Sequence, residues 1–237
     1  MKNEDFKRRM KSIKNELKTV KNDETTTLHM YGSIGESWWD EEAVSAKNIK
    51  VILKDITDDT IHVHINSGGG DVFDGITIHN LLKSHGAKII VHVDGLAASA
   101  ASLIAMAGDE IHMPENAIMM VHNASTFAYG NKDEIQKTID ALKTIDNAVM
   151  KSYMGKFVGT EEEMKTLLDN ETWLSAQEAL GFGLATQIVE EVEETEAVTD
   201  EQKEVFKNSL LSKYAAKVNV AVEPKTIIGR FKRNSNE

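Results

Sequence analysis

Lys88-Ile89-Ile90-Val91-His92-Val93-Asp94-Gly95-Leu96-Ala97-Ala98-Ser99-Ala100-Ala101-Ser102 is the stretch on which the fold turns. Its β-branched run reads as a strand over Lys88 to Val93, Asp94-Gly95 interrupts it, and small residues lead into a helix over Ser99 to Ala107. A strand feeding a helix through a small-residue turn is the building unit of a parallel sheet. The alternation repeats on either side. Leu28 to Tyr31, Ile61 to Ile65 and Ala117 to Val121 read as strands; Glu41 to Lys54 and Val72 to Ser84 read as helices. The expectation is an α/β domain with a mostly parallel sheet covered on both faces.

Downstream, a helix is predicted from Lys132 to about Phe157, with Ile135, Ile139, Leu142, Ile145, Val149 and Tyr153 forming a narrow stripe. A stripe of that width requires a neighbouring helix as its cover. Ser175 and Glu178 have capping-box spacing for a short helix, which Gly181 and Gly183 end before an apolar strand through Ile188. Residues 25–190 are thus the expected body. Ahead of it, residues 1–24 read as a basic amphipathic helical arm, with Phe6, Met10, Ile13, Leu17 and Val20 at spacings of four and three. Behind it, residues 191–237 read as an acidic linker, a helix over about Asp200 to Lys217, and a basic mobile tail through Arg230, Lys232 and Arg233.

Composition excludes several classes of function. The chain has 27 basic against 38 acidic residues and a net charge of -11, which opposes a general nucleic-acid surface. It has no cysteine, so disulfides, thiolate nucleophiles and cysteine-zinc sites are ruled out together. No run approaches the roughly 18 consecutive apolar residues of a membrane span, so a cytoplasmic protein with no membrane partner is expected. No HExxH, phosphate-loop or dinucleotide-loop pattern occurs, and no cofactor is called for.

Chemistry in open parallel sheets collects at the carboxyl ends of the strands. Three turns lie there. Asn66-Ser67-Gly68-Gly69-Gly70-Asp71 follows one strand, and its glycines let the backbone approach a ligand with N–H groups turned outward. Ser99 follows the second, at the start of a helix, where amides and the helix dipole favour an oxyanion. His122 follows the third, in His122-Asn123-Ala124-Ser125. Alone, the glycines make a tight turn, Ser99 a plain N-cap and His122 a structural histidine. Their convergence on one edge instead suggests a nucleophile, its base and an amide nest. His62, His64 and His92 alternate with the apolar residues of their strands and point to the opposite face. His62-Xaa-His64 lacks an evident third ligand, so no metal site is expected.

These residues resemble the ClpP family of serine proteases. The family's Gly-Xaa-Ala-Ala-Ser segment is matched by Gly95-Leu96-Ala97-Ala98-Ser99, and its Asn-Ser-Pro-Gly-Gly loop by Asn66-Ser67-Gly68-Gly69-Gly70, with glycine in place of proline. Its Met-Xaa-His segment is similar to Met119-Met120-Val121-His122. Its Leu-Ser-Ala-Xaa-Glu-Ala segment is similar to Leu174-Ser175-Ala176-Gln177-Glu178-Ala179, followed by Gly183-Leu184. The four segments lie in the family's order between about Leu28 and Val189.

The resemblance implies a crotonase-like fold of repeated β-β-α units with a protruding long helix at about 132–157. It also implies a serine endopeptidase in which Ser99 attacks the peptide carbonyl, His122 takes its proton, and the amides of Gly69 and Ala100 form the oxyanion hole. Ser102 is then a helix residue. Where the family has the aspartate of its triad this chain has Glu171, with Asp169 or Asn170 as alternatives. Gly70 to Gly75, Trp38-Trp39-Asp40 and Glu171-Thr172-Trp173 look most like phage-encoded members that mature viral capsids. The implied partners are further copies of the chain in stacked rings, scaffold or capsid proteins as substrates in the host cytoplasm, or alternatively a Clp-type ATPase serving protein turnover. Acyl-coenzyme A enzymes share the fold without a serine nucleophile, and a noncatalytic ring subunit is disfavoured by the presence of both Ser99 and His122.

Overall fold

Ile61, Val63 and Ile65 alternate with His62 and His64, and this period of two builds the central strand of a sheet whose inner face is apolar. The computed structural model describes residues 13–22, 25–36, 43–189, 205, 207–210 and 212–214. Along the chain come β1 (Glu16–Lys21), β2 (Thr26–Ile34), α1 (Ala46–Lys54), β3 (Thr60–Gly70), α2 (Val72–Ser84), β4 (Lys88–Ala98) and α3 (Ala100–Ala105). Then follow β5 (Glu110–Pro114), β6 (Ile118–Val121), α4 (Lys132–Met154), α5 (Glu161–Asp169), β7 (Thr172–Ser175), α6 (Ala176–Gly181) and β8 (Gln187–Val189). The strands form one mixed sheet in the order β1-β2-β3-β4-β5-β8, with β6 joining β4 and β7 joining β6. The β2 to β5 pairings and the β5–β8 pairing are parallel; β1–β2 and β6–β7 are antiparallel. This is the α/β architecture the alternation predicts.

The inner face carries Leu28, Met30, Val63, Ile65, Val91 and Val93, all buried, against which Ile49, Ile78, Leu82, Leu103 and Ile104 of the helices pack. Burying each such side chain contributes about 1.5–3 kcal/mol before chain entropy is charged against it. The other face differs from the two-sided cover expected. His29, His64, His92 and His112 are register partners in successive strands, so one row of imidazoles crosses β2, β3, β4 and β5. Their ring centroids lie 5.0, 4.5 and 5.1 Å apart, and all four residues are half-buried. The polar alternation of the sequence, rather than the strand–helix order, predicts this face correctly.

The arm needs a larger correction. Instead of a helix, Glu16–Lys21 is a strand paired with β2 from Glu16↔Tyr31 to Lys21↔Thr26. The free edge of β2 offers a row of N–H and C=O groups that need partners, and Thr19 and Val20 suit a strand better than a helix. Leu17 packs against the core. Residues 1–12 and 23–24, the Trp38-Trp39-Asp40 segment, and the acidic linker and basic tail lie outside the described residues. Within 205–214 the described residues are helical; Leu210 and Tyr214 are buried, and the Tyr214 hydroxyl donates to the Trp173 carbonyl at 3.2 Å. The long helix stops at Met154 with Gly155 as its cap, three residues short of the expected end. Among the described residues no helix is long and apolar enough to cross a membrane.

Candidate active site

Strand β4 changes partner along its length, and that change makes the site. Ile90 to His92 pair with β5, whereas Leu96 to Ala98 pair with Ile118 to Met120 of β6. The chain then turns at Ser99, which has φ 56° and ψ -125° and caps α3 without a side-chain bond to it. For a residue with a Cβ this is a strained conformation, costing about 1–3 kcal/mol. It turns the hydroxyl outward at a strand-to-helix corner, as in the nucleophile elbows of hydrolases. The Ser99 amide donates to the Met120 carbonyl at 3.0 Å, anchoring the corner to β6.

His122 stands just beyond β6, and its Nε2 lies 2.7 Å from Ser99 Oγ. For the imidazole to accept that hydroxyl proton, its own proton must sit on Nδ1, which then requires an acceptor. The antiparallel β6–β7 register supplies the reason Glu171 is adjacent: Val121 pairs with Thr172, so the next residues outward are His122 and Glu171. Glu171 lines the same groove as Ser99, His122 and Ser125, with φ 46°, a second positive value outside glycine. Asp169 is engaged elsewhere, accepting from Asn123 Nδ2 at 2.8 Å and from Lys165 Nζ at 2.6 Å. The Asn170 side chain donates to the Thr166 carbonyl at 2.8 Å. Of the three residues considered for the third position, Glu171 is thus the one that lines the groove.

The glycine turn closes over the serine. At Gly69, φ is +87°, and a Cβ would come within 2.6 Å of both Ala98 O and Ser99 Cβ, so only glycine fits. Its amide, however, donates to Ser67 Oγ at 3.0 Å, so it is not turned freely toward an oxyanion as the sequence reading has it. Gly68 and Gly70 line the same groove. Ala100 opens α3, where the first amide of a helix has no acceptor within its own helix.

Beside Ser99 and His122 lies a cavity of about 280 Å³, walled by Leu103 of α3 and by Ala141, Leu142, Ile145 and Val149 of α4. The stripe read as a helix-packing seam therefore partly lines the site. Ser102 is the helix residue expected, but the sequence does not reveal that its buried hydroxyl lies 2.8 Å from the Tyr153 hydroxyl. Nothing local marks that pair, since its members are 51 positions apart.

Residues 34–192 match the Clp protease family. The ATP-dependent Clp protease proteolytic subunit of Deinococcus radiodurans is 25% identical over 137 residues, covering 56% of this chain and 67% of the relative. The proteolytic subunit 3 of Rhizobium etli is 30% identical over 168 residues, covering 69% of this chain and 83% of the relative.

Proposed function

The chain belongs to the Clp protease family and is a serine endopeptidase; from that premise we propose that Ser99 is its nucleophile, His122 its general base and Glu171 the residue that orients His122. The observation that carries this reading is the 2.7 Å contact between Ser99 Oγ and His122 Nε2 at a strained turn. In the reaction, Oγ attacks the peptide carbonyl while Nε2 takes its proton, and the carbonyl oxygen becomes an oxyanion. The Ala100 amide supports that oxyanion, and the Gly69 amide joins it by exchanging its bond to Ser67 Oγ for the oxyanion. The imidazolium gives its proton to the leaving amine, water enters, and the same base activates it to release the acyl group. The Glu171 carboxylate holds the Nδ1 proton in place, a role that does not require it to be protonated.

The cavity beside Ser99 suits an apolar side chain on the acyl side of the cleaved bond, since Leu103, Leu142, Ile145 and Val149 form its walls. Peptides with Leu or Met there are expected to be cleaved at least about tenfold faster than those with Asp or Lys, because an unpaired charge is costly to desolvate. Equal rates for all four would remove the cavity from the account.

The natural role we favour is processing of scaffold or capsid proteins in phage head maturation, by rings of this chain. It is supported by the Gly70 to Gly75 and Glu171-Thr172-Trp173 segments, which resemble phage-encoded members. The long helix α4 also supports assembly: Ile135 and Ile139 are exposed on it, and an apolar stripe that a single chain leaves open is suited to burial between copies. The names of the two relatives favour a second reading, in which the chain is the proteolytic subunit of an ATP-dependent Clp protease. Incubation with a Clp ATPase and casein separates the two. ATP-dependent casein breakdown supports turnover, while ATP-independent cleavage of a co-expressed scaffold protein supports maturation.

A further inference from the structure

We propose that the buried hydroxyl pair Tyr153–Ser102 is a positioning element that holds Ser99 in its reactive conformation, an inference that rests on the reading of Ser99 and His122 given above. Ser102 is wholly buried in α3 and Tyr153 is 1% exposed near the end of α4. Ser102 Oγ lies 2.7 Å from the Ser99 carbonyl oxygen, 2.8 Å from that of Met120 and 2.8 Å from the Tyr153 hydroxyl. Chemistry decides the direction of these bonds. The two carbonyls only accept, so Ser102 directs its one proton at them, and Tyr153 is left to donate to Ser102 Oγ. Burial raises the phenol's pKa well above its usual value, which keeps it protonated for that role.

The two carbonyls are those that define the corner. One belongs to the strained Ser99 itself; the other, on Met120, also accepts the Ser99 amide at 3.0 Å and lies two residues before His122. A single hydroxyl is therefore bonded on one side to the nucleophile's own peptide and on the other to the strand that delivers the base. Without the Tyr153 donor, Ser102 Oγ loses a hydrogen bond at a buried position and its hold on the corner loosens. The strain at Ser99 then has a path of release, by rotation away from His122. Misplacement by about 1 Å is enough to cost on the order of 100-fold in rate.

The test uses full-length Tyr153→Phe, Ser102→Ala and the double variant. It measures peptide kcat and KM, the rate at which a fluorophosphonate labels Ser99, thermal unfolding and oligomer mass. Each single variant is expected to lose about 10- to 100-fold in kcat and in labelling rate, with KM within about twofold and the assembly unchanged. The double variant should be no worse than the poorer single, since the two hydroxyls act as one unit. A purely structural pair would instead lower the folded fraction and leave kcat per labelled site at the wild-type value, and that result overturns the proposal. So does loss of fold in both single variants, because the proposal requires a native body with a misdirected nucleophile. If fluorophosphonate fails to label Ser99 in active wild-type protein, the reading of Ser99 itself falls.

Discussion

The imidazoles on the face of the sheet and the one at its carboxyl edge meet different partners. On its face, His29, His64, His92 and His112 stand in register across four strands, and each neighbours another imidazole. His62 joins the group through His92, with Nδ1 and Nε2 2.9 Å apart. Burial, and then repulsion from His64 and His112, pushes His92 down to about 4. His29 and His62 are lowered in the same way, first by burial and next by His64. At the carboxyl edge His122 instead meets a hydroxyl at 2.7 Å. The difference teaches that position decides what a histidine meets here: on the face, burial and neighbouring imidazoles lower His29, His62 and His92, while at the edge His122 faces the Ser99 hydroxyl.

The largest expected effect breaks the edge site. Ser99→Ala and His122→Ala should each reduce peptide hydrolysis by at least about 1,000-fold, and the double variant should be little worse than either, as measured by kcat/KM on a fluorogenic peptide. Additive losses would mean the two residues do not act together. Next in size, Glu171→Gln should cost about 10- to 1,000-fold in kcat at unchanged KM, while Asp169→Asn should cost less than about fivefold. A reversed order would move the third position to Asp169.

Smaller effects probe the face. His92→Gln should leave kcat at neutral pH within about twofold of wild type and alter only the acid stability. His92 has a folded pKa of about 4 against 6.5 for the free group. Between these values the unfolded chain binds more protons, so stability rises with pH; the contribution is complete above about 6.5 and is lost as pH falls toward 4. Melting temperatures across pH 4 to 7 should fall less steeply on the acid side for the variant. Identical slopes would mean that burial and the neighbouring His64, His112 and His62, opposed by Asp94, do not depress His92 as described. Smallest is Asn131→Ala, which removes the cap whose Oδ1 accepts from the Asp133 and Glu134 amides. It should destabilise by about 1 kcal/mol, read from urea midpoints.

Much of this was legible in the sequence. The alternation around Lys88 to Ser102 predicts β4 and α3, and the capping box at Ser175 predicts α6. Ser99 and His122 stand out in the sequence because each follows an apolar strand at the same edge. Other features depend on pairings that no local pattern records. The spacing of Leu17 and Val20 fits a helix, but the open edge of β2 makes a strand the better outcome. The placement of Glu171 follows from the β6–β7 register rather than from its own neighbours. The Gly69 amide is diverted by the hydroxyl of Ser67, two residues away, a turn detail that a run of glycines does not reveal. Tyr153 reads as one more member of an apolar stripe until the fold places its hydroxyl against Ser102.

The most direct test of the edge site is covalent. Intact-mass analysis after fluorophosphonate treatment should show a single adduct per subunit, mapped by peptide sequencing to Ser99, in wild type and none in Ser99→Ala or His122→Ala. An active protein that carries no adduct, or carries it at another serine such as Ser102, would contradict the account.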